Sequence, residues 1–190
     1  MNAPRRKVLA LALAALLGSA TATAAGTKEE QRNDVRKVVE NTLERLYKVQ
    51  PPARHVIARS AGYAVFSNFG MKILFAGGGT GGGMAVNAKT KAETFMKMVE
   101  VQAGLGFGVK RFRLVWVFET EGKLNDFINN GWELGGQATV TAQAGGQGSD
   151  LYTGAMSVSP GVWLYQLTDD GLALELTAKG TKYYKDTALN

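Results

Sequence analysis

The chain has 190 residues, a formal net charge of +6 and no cysteine. That is enough for one domain with a real core, and it excludes disulfides, zinc–cysteine sites and a lipid-modified N-terminal cysteine. The positive balance permits contact with anionic surfaces, but it is not the dense basic stripe that nucleic acid requires.

The first stretch reads as a targeting signal and not as part of the fold. Arg5, Arg6 and Lys7 form a positive opening, residues 8–17 are unbroken apolar sequence, and Ala22-Thr23-Ala24 has the small-x-small form of a cleavage site. The apolar run is too short for a membrane-spanning helix, which takes about 20 residues. The expectation is a cleavable signal over residues 1–24, a single domain over 25–190, and a periplasmic or secreted protein with peripheral membrane association possible. Removing the signal lowers Lys plus Arg from 22 to 19 against 16 acids, a net charge of +3.

Thr27 and Glu30 then form a capping-box pair that predicts a helix start. Apolar residues recur on one helical face at Val35, Val38, Val39, Leu43, Leu46 and Tyr47. The opposite face carries Lys28, Arg32, Arg36, Lys37, Glu40, Glu44, Arg45 and Lys48. Pro51-Pro52 ends this helix, because proline disfavours helical geometry in the residue before it. Residues 53–60 predict a short second helix with Val56 and Ile57 inward. The long amphipathic helix can dock on the domain or lie on a bilayer; its mixed charges are those of an ordinary solvated face, which favours docking.

From Gly62 the apolar period changes to two. Val99 to Val109 alternate with polar residues and then with glycine. Ala138, Val140, Ala142 and Ala144 alternate with Gln137, Thr139, Thr141 and Gln143, and Leu172, Leu174 and Leu176 alternate with Ala173, Glu175 and Thr177. This pattern predicts antiparallel strands with one buried face. Leu114-Val115-Trp116-Val117-Phe118 is apolar throughout and predicts a central strand covered on both sides. Between strands, Asp169-Asp170-Gly171 and Gly145-Gly146-Gln147-Gly148 are turn chemistry. One helix is inserted, with Leu124, Phe127 and Ile128 on its inner face and Asn130-Gly131 at its C-terminal cap. The fold class is therefore α+β: a mainly antiparallel, strongly curved or barrel-like β-sheet with N-terminal helices and one inserted helix.

Of the 24 glycines, 22 lie at or after Gly62. Glycine weakens strands. A sheet rich in it either brings backbones very close or keeps a face bare, and the sequence leaves both open; the expectation is that the glycine-faced sheet, or an adjacent apolar groove, accepts acyl chains or the amphipathic helix. Gly77-x-Gly79-x-x-Gly82 matches a dinucleotide fingerprint in form only, because Met84-Ala85-Val86 continues as strand where that motif opens a helix. His55 stands alone, without a second histidine or a cysteine to share work, and reads as a surface residue. The acids are scattered, Asp169-Asp170 reads as a turn, and no metal-ligand spacing is present. No catalytic residue, metal site or cofactor is expected.

The densest basic segment is Lys110-Arg111-Phe112-Arg113. Together with Lys72, Lys97, Arg32, Arg36, Lys37, Arg54 and Arg59 it can meet phosphate headgroups, each cation near an anionic membrane being worth about 1 kcal/mol. Equally, these residues can be edge charges that block sheet-to-sheet pairing. The abundant aromatics read mostly as core, and any exposed one beside the cations suits a bilayer interface.

These blocks, taken in order, resemble the SYLF-domain family, a lipid-binding family also described as the actin-binding domain of a group of yeast actin-patch proteins. The resemblance rests on Gly62-Tyr63-Ala64-Val65-Phe66, the lysine-led apolar strand and polyglycine run, Leu114-Val115-Trp116-Val117-Phe118, the helix near Leu124, Leu134-Gly135-Gly136-Gln137-Ala138, Gly171-Leu172-Ala173-Leu174-Glu175 and Tyr183-Tyr184. Ser67 departs from the proline expected after Ala-Val-Phe. The resemblance implies binding of membrane lipid, phosphoinositides in eukaryotic members, through Arg32, Arg36, Lys37, Arg45 and Lys48. A secreted bacterial-type chain makes anionic phospholipids the more natural ligand and does not carry over actin binding. The expected function is non-catalytic phospholipid binding at an envelope membrane by Arg32, Arg36, Lys37, Arg45, Lys48, Arg54, Arg59, Lys72, Lys110, Arg111 and Arg113. The alternative is an interaction module that takes an envelope protein at a sheet edge.

Overall fold

Two helices precede the sheet and a third interrupts it. The computed structural model describes residues 20–68, 80–100, 112–134, 152–169, 171–173 and 181–190. Helix α1 spans Ala20–Val49 and α2 Ala53–Arg59. They are followed by β1 (Gly62–Ser67), β2 (Thr80–Asn87), β3 (Glu93–Glu100) and β4 (Arg113–Phe118). Helix α3 (Glu121–Asn130) then leads to β5 (Trp132–Leu134), β6 (Met156–Ser159), β7 (Val162–Thr168), β8 (Gly171–Ala173) and β9 (Thr181–Lys185). Among the described residues, nine strands form one sheet in the order β5-β9-β3-β2-β1-β4-β7-β6, with β8 also paired to β7. Every pairing is antiparallel. The sheet curls strongly into a half-barrel, so the α+β class and the curved antiparallel sheet are as the patterning predicts.

Strand alternation splits the core into two layers. Ala64, Phe66, Ala85, Met96, Met98, Leu114, Trp116, Phe118 and Tyr183 face α3, which contributes Leu124 and Phe127. Val65, Met84, Val86, Phe95, Val115, Val117, Tyr165 and Leu167 face the other way, against Val35, Val39 and Leu46 of α1 and Val56 and Ile57 of α2. Strand β4 lies between β1 and β7 and its residues 114–118 are fully buried, as its unbroken apolar run predicts. The long helix is docked, lying across β2, β1 and β4.

Two expectations change. Helix α1 begins at Ala20, so Thr27 and Glu30 lie inside it and do not cap its start. Gly81 and Gly83 of β2 do not leave a bare face. Gly83 is paired with Phe66, and a methyl there would collide with the Val65 carbonyl oxygen and the Phe66 ring. At Gly81 a methyl would meet the Met98 side chain and the Ser67 carbonyl. Protein atoms already fill this space, so these glycines serve close backbone approach. Gly82 pairs with Ser67 and Lys97 in mid-strand, not at the head of a helix, so the dinucleotide reading fails here. The predicted turn at Asp169 is the loop between β7 and β8, with Thr168 opposite Gly171. Helix α3 ends as expected, at Gly131 with φ 71°. The strand predicted over residues 138–144, most of that over 99–109, Leu174, Leu176, Gly77, Gly79 and the 145–148 turn lie outside the described residues.

Candidate functional site

Helix α1 is fixed to the sheet by its apolar stripe and also by its cations. Near its first half, Arg32 Nε donates to the Leu189 carbonyl at 2.7 Å and Lys28 Nζ to the Asn190 carbonyl at 2.9 Å. Arg36 bridges Glu29 and Glu93, each at 2.9 Å. Those hydrogen bonds, to Glu29 first and Glu93 second, raise the Arg36 guanidinium pKa, and the bond accepted from Arg36 holds the Glu29 carboxyl below the usual range. Both guanidiniums also lie over the Phe95 ring, at 5.7 and 5.5 Å. Near the second half, Arg45 Nη2 donates to the carbonyls of Thr168 and Asp169 at 2.7 and 2.8 Å. Gln50 Nε2 reaches the Thr153 carbonyl at 2.8 Å.

The corner between α1 and α2 is different in character. Val49 is 43% exposed, one of two large hydrophobic residues that are exposed among the described residues, and Pro51 and Pro52 beside it are exposed too. Lys48 precedes this apolar tip in the chain and Arg54, His55 and Arg59 follow it on α2, all of them exposed. Arg54 stacks its guanidinium 4.3 Å from the centroid of the Tyr47 ring. An open groove beside the corner is lined by Arg45, Lys48, Val49 and Asp169, together with Glu44. Arg113, half-buried at the start of β4, has its pKa lowered by burial first and by the neighbouring Arg45 second.

Arg32 and Arg36 thus form one group, with Glu29 and Glu93, while Arg45, Lys48 and Arg113 form another near Asp169. Arg54 lies at the corner, over the Tyr47 ring, and Arg59 at the far end of α2, beside the cleft that His55 lines. Lys37 is exposed on the outer side of α1. Lys72, Lys110 and Arg111 lie outside the described residues, so the basic segment near 110 is represented only by Arg113. Lys97 pairs with the buried Asp186 at 3.0 Å.

Sequence reasoning did not single out the apolar tip at Val49 and the proline pair. A usable signal is present: residues 45–92 contain no Asp or Glu and carry Arg45, Lys48, Arg54, Arg59, Lys72, Lys89 and Lys91. It also missed the surroundings of His55. This residue is exposed, as expected, but it lines a small cleft of about 110 Å³ with Arg59, Ser60, Glu119 and Tyr152. Glu119 accepts from Trp163 Nε1 at 2.8 Å, and the Tyr152 ring stacks on Trp163 at 4.1 Å. Among the described residues no group of His, Asp or Glu has a metal-ligating arrangement, and no helix is long and apolar enough to cross a membrane.

Beta cell expansion factor A of Aeromonas veronii is 31% identical to this chain over 166 residues, which cover 86% of this chain and 60% of that protein. The two chains are related. The present chain spans about 60% of the length of that relative. No protein-family model matches the chain.

Proposed function

We propose that this chain is a SYLF-type, non-catalytic phospholipid-binding domain that works at an anionic membrane surface. A secretory signal over residues 1–24 would deliver it to the cell envelope. The observation that carries this reading is the α1–α2 corner, where exposed Val49, Pro51 and Pro52 are flanked in the chain by the exposed cations Lys48, Arg54 and Arg59. An apolar tip flanked by long cations suits the boundary between headgroups and acyl chains, because the stems cover apolar surface while the charges stay at phosphate level. Arg54 over Tyr47 adds an amphipathic ring of the kind that favours that boundary. Further support comes from the half-barrel and its family-like sequence blocks. Arg32, Arg36 and Arg45 are engaged on the protein itself, so first contact falls to Lys48, Arg54 and Arg59, with Lys37 outward on α1.

Flotation with vesicles of pure phosphatidylcholine and with vesicles containing phosphatidylglycerol tests the reading. Binding is expected only with the anionic lipid and is expected to weaken as salt rises. The triple variant Lys48→Glu, Arg54→Glu, Arg59→Glu should lose most of it while keeping its circular dichroism spectrum. Equal flotation with both vesicles, unaffected by salt, would overturn the proposal.

A further inference from the structure

Helix α1 is held shut in an unusual way, and the details decide what can open it. Its inner stripe is interrupted at the centre by Thr42, which is fully buried with a hydroxyl that has no hydrogen-bond partner. Among the residues of the layer that α1 covers, Tyr165 is likewise fully buried with an unpartnered hydroxyl. Unsatisfied buried hydroxyls weaken a packed interface. Polar clamps on either side of Thr42 add to the fastening. On either side of Thr42 an arginine is bound to backbone carbonyls: Arg32 to that of Leu189, alongside a longer 3.4 Å pairing with Glu29, and Arg45 to those of Thr168 and Asp169.

A phosphate diester is a stronger acceptor for a guanidinium than a neutral carbonyl, since both partners are charged and two parallel bonds can form. Headgroups that reach Arg45 beside the exposed corner compete directly with the clamp. The stripe of Val35, Val39, Leu43 and Leu46, once freed, is the apolar face of an amphipathic helix, and the sheet layer beneath it is apolar as well. Water would penalise exposure of both. A bilayer accepts both, so it is the environment in which the open form gains. Free phosphate offers the same acceptor without an apolar phase, so the partner is a membrane and not the ion.

We propose that α1 is a strap, clamped by arginines on backbone carbonyls, that lipid phosphates unfasten so that its hidden face and the uncovered sheet enter the bilayer. This rests on the membrane reading given above and adds to it a conformational step between contact and full attachment.

The absence of cysteine makes a clean test available. Arg36 of α1 and Glu93 of β3 meet at 2.9 Å, so the double variant Arg36→Cys, Glu93→Cys can be bridged by a bismaleimide that contains a reducible disulfide. Bridged protein cannot lift α1; the same sample after reduction can, with identical charge. Flotation on phosphatidylglycerol vesicles is expected to fall about tenfold in the bridged form and to return on reduction, as for a helix whose apolar burial drives attachment. Equal flotation of bridged and reduced protein overturns the strap and leaves the membrane reading standing. Failure of both the reduced variant and the unmodified protein to float overturns the membrane reading, and the strap with it.

Discussion

Gly83 and Thr42 show how single residues set the character of the two core layers. At Gly83 the space a side chain would use is occupied by the Val65 carbonyl and the Phe66 ring. Gly83→Ala should therefore destabilise the domain by about 1–3 kcal/mol, the usual range for overpacking, measured as a lower urea midpoint. Thr42 has the opposite defect, a hydroxyl buried without a partner. Thr42→Val keeps the shape and removes the orphan, so stability should rise by about 1 kcal/mol in the same assay. If α1 must lift to attach, that variant should also bind anionic vesicles less tightly than the parent. Two tyrosines provide a pH signature. Burial pushes the hydroxyls of Tyr152 and Tyr165 up to about 12, with Glu119 adding to the shift at Tyr152. A folded pKa above the unfolded one gives a contribution that is complete below about pH 10 and lost as pH climbs toward 12. Unfolding midpoints should decline over that window, and phenolate absorbance should lag behind that of the unfolded chain.

At the scale of elements, legibility followed how much each element's fate depended on its own residues. Strand β4 was readable because an unbroken apolar run has few alternatives to burial on both sides. Helix α3 was readable from its apolar spacing and from Asn130-Gly131. Its start depends on Thr120, whose hydroxyl accepts from the Lys123 amide at 3.3 Å. Thr120→Ala should cost about 1 kcal/mol, visible in urea unfolding, as N-cap losses do. The inner face of α1 was readable at Val35, Val39 and Leu46, but Thr42 was not, since a period search passes over a polar residue on the apolar stripe. The α1 start was misplaced because a capping box is a local signal and the helix continues upstream of it. The glycines of β2 misled for a different reason. Missing side chains look alike whether the space is empty or filled from elsewhere, and Phe66 and Met98 fill it from neighbouring strands. Cations were similarly ambiguous: sequence places Arg32, Arg36 and Arg45 on an outer face, but only the fold shows that carbonyls and carboxylates of distant segments claim them.

For the whole molecule, the segment after β9 is what joins the first half of α1 to the sheet. Asn190 Nδ2 donates to the carbonyls of Phe95 and Asp186 at 2.8 and 2.7 Å, and its Oδ1 accepts from the Phe95 amide at 3.0 Å. Leu189 is buried, and the carbonyls of Leu189 and Asn190 are the ones that Arg32 and Lys28 grasp. The clasp thus reaches from β3 through this segment to α1, linking residues over 150 positions apart. Asn190→Ala removes three bonds at once and loosens the carbonyls that hold the helix. Net losses of about 1 kcal/mol per hydrogen bond, partly recovered through water at this half-exposed site, predict a destabilisation of about 1–2 kcal/mol. If membrane attachment draws on the open form, the same change should act in the opposite direction on binding. Weakening the closed state by about 1.4 kcal/mol raises the open population, and so the vesicle-bound fraction at low lipid, by up to about tenfold. Urea unfolding and vesicle titration on the one variant measure both quantities. A stability loss with unchanged or weaker vesicle binding would mean that α1 stays docked on the membrane, and contact would then be confined to the corner around Val49.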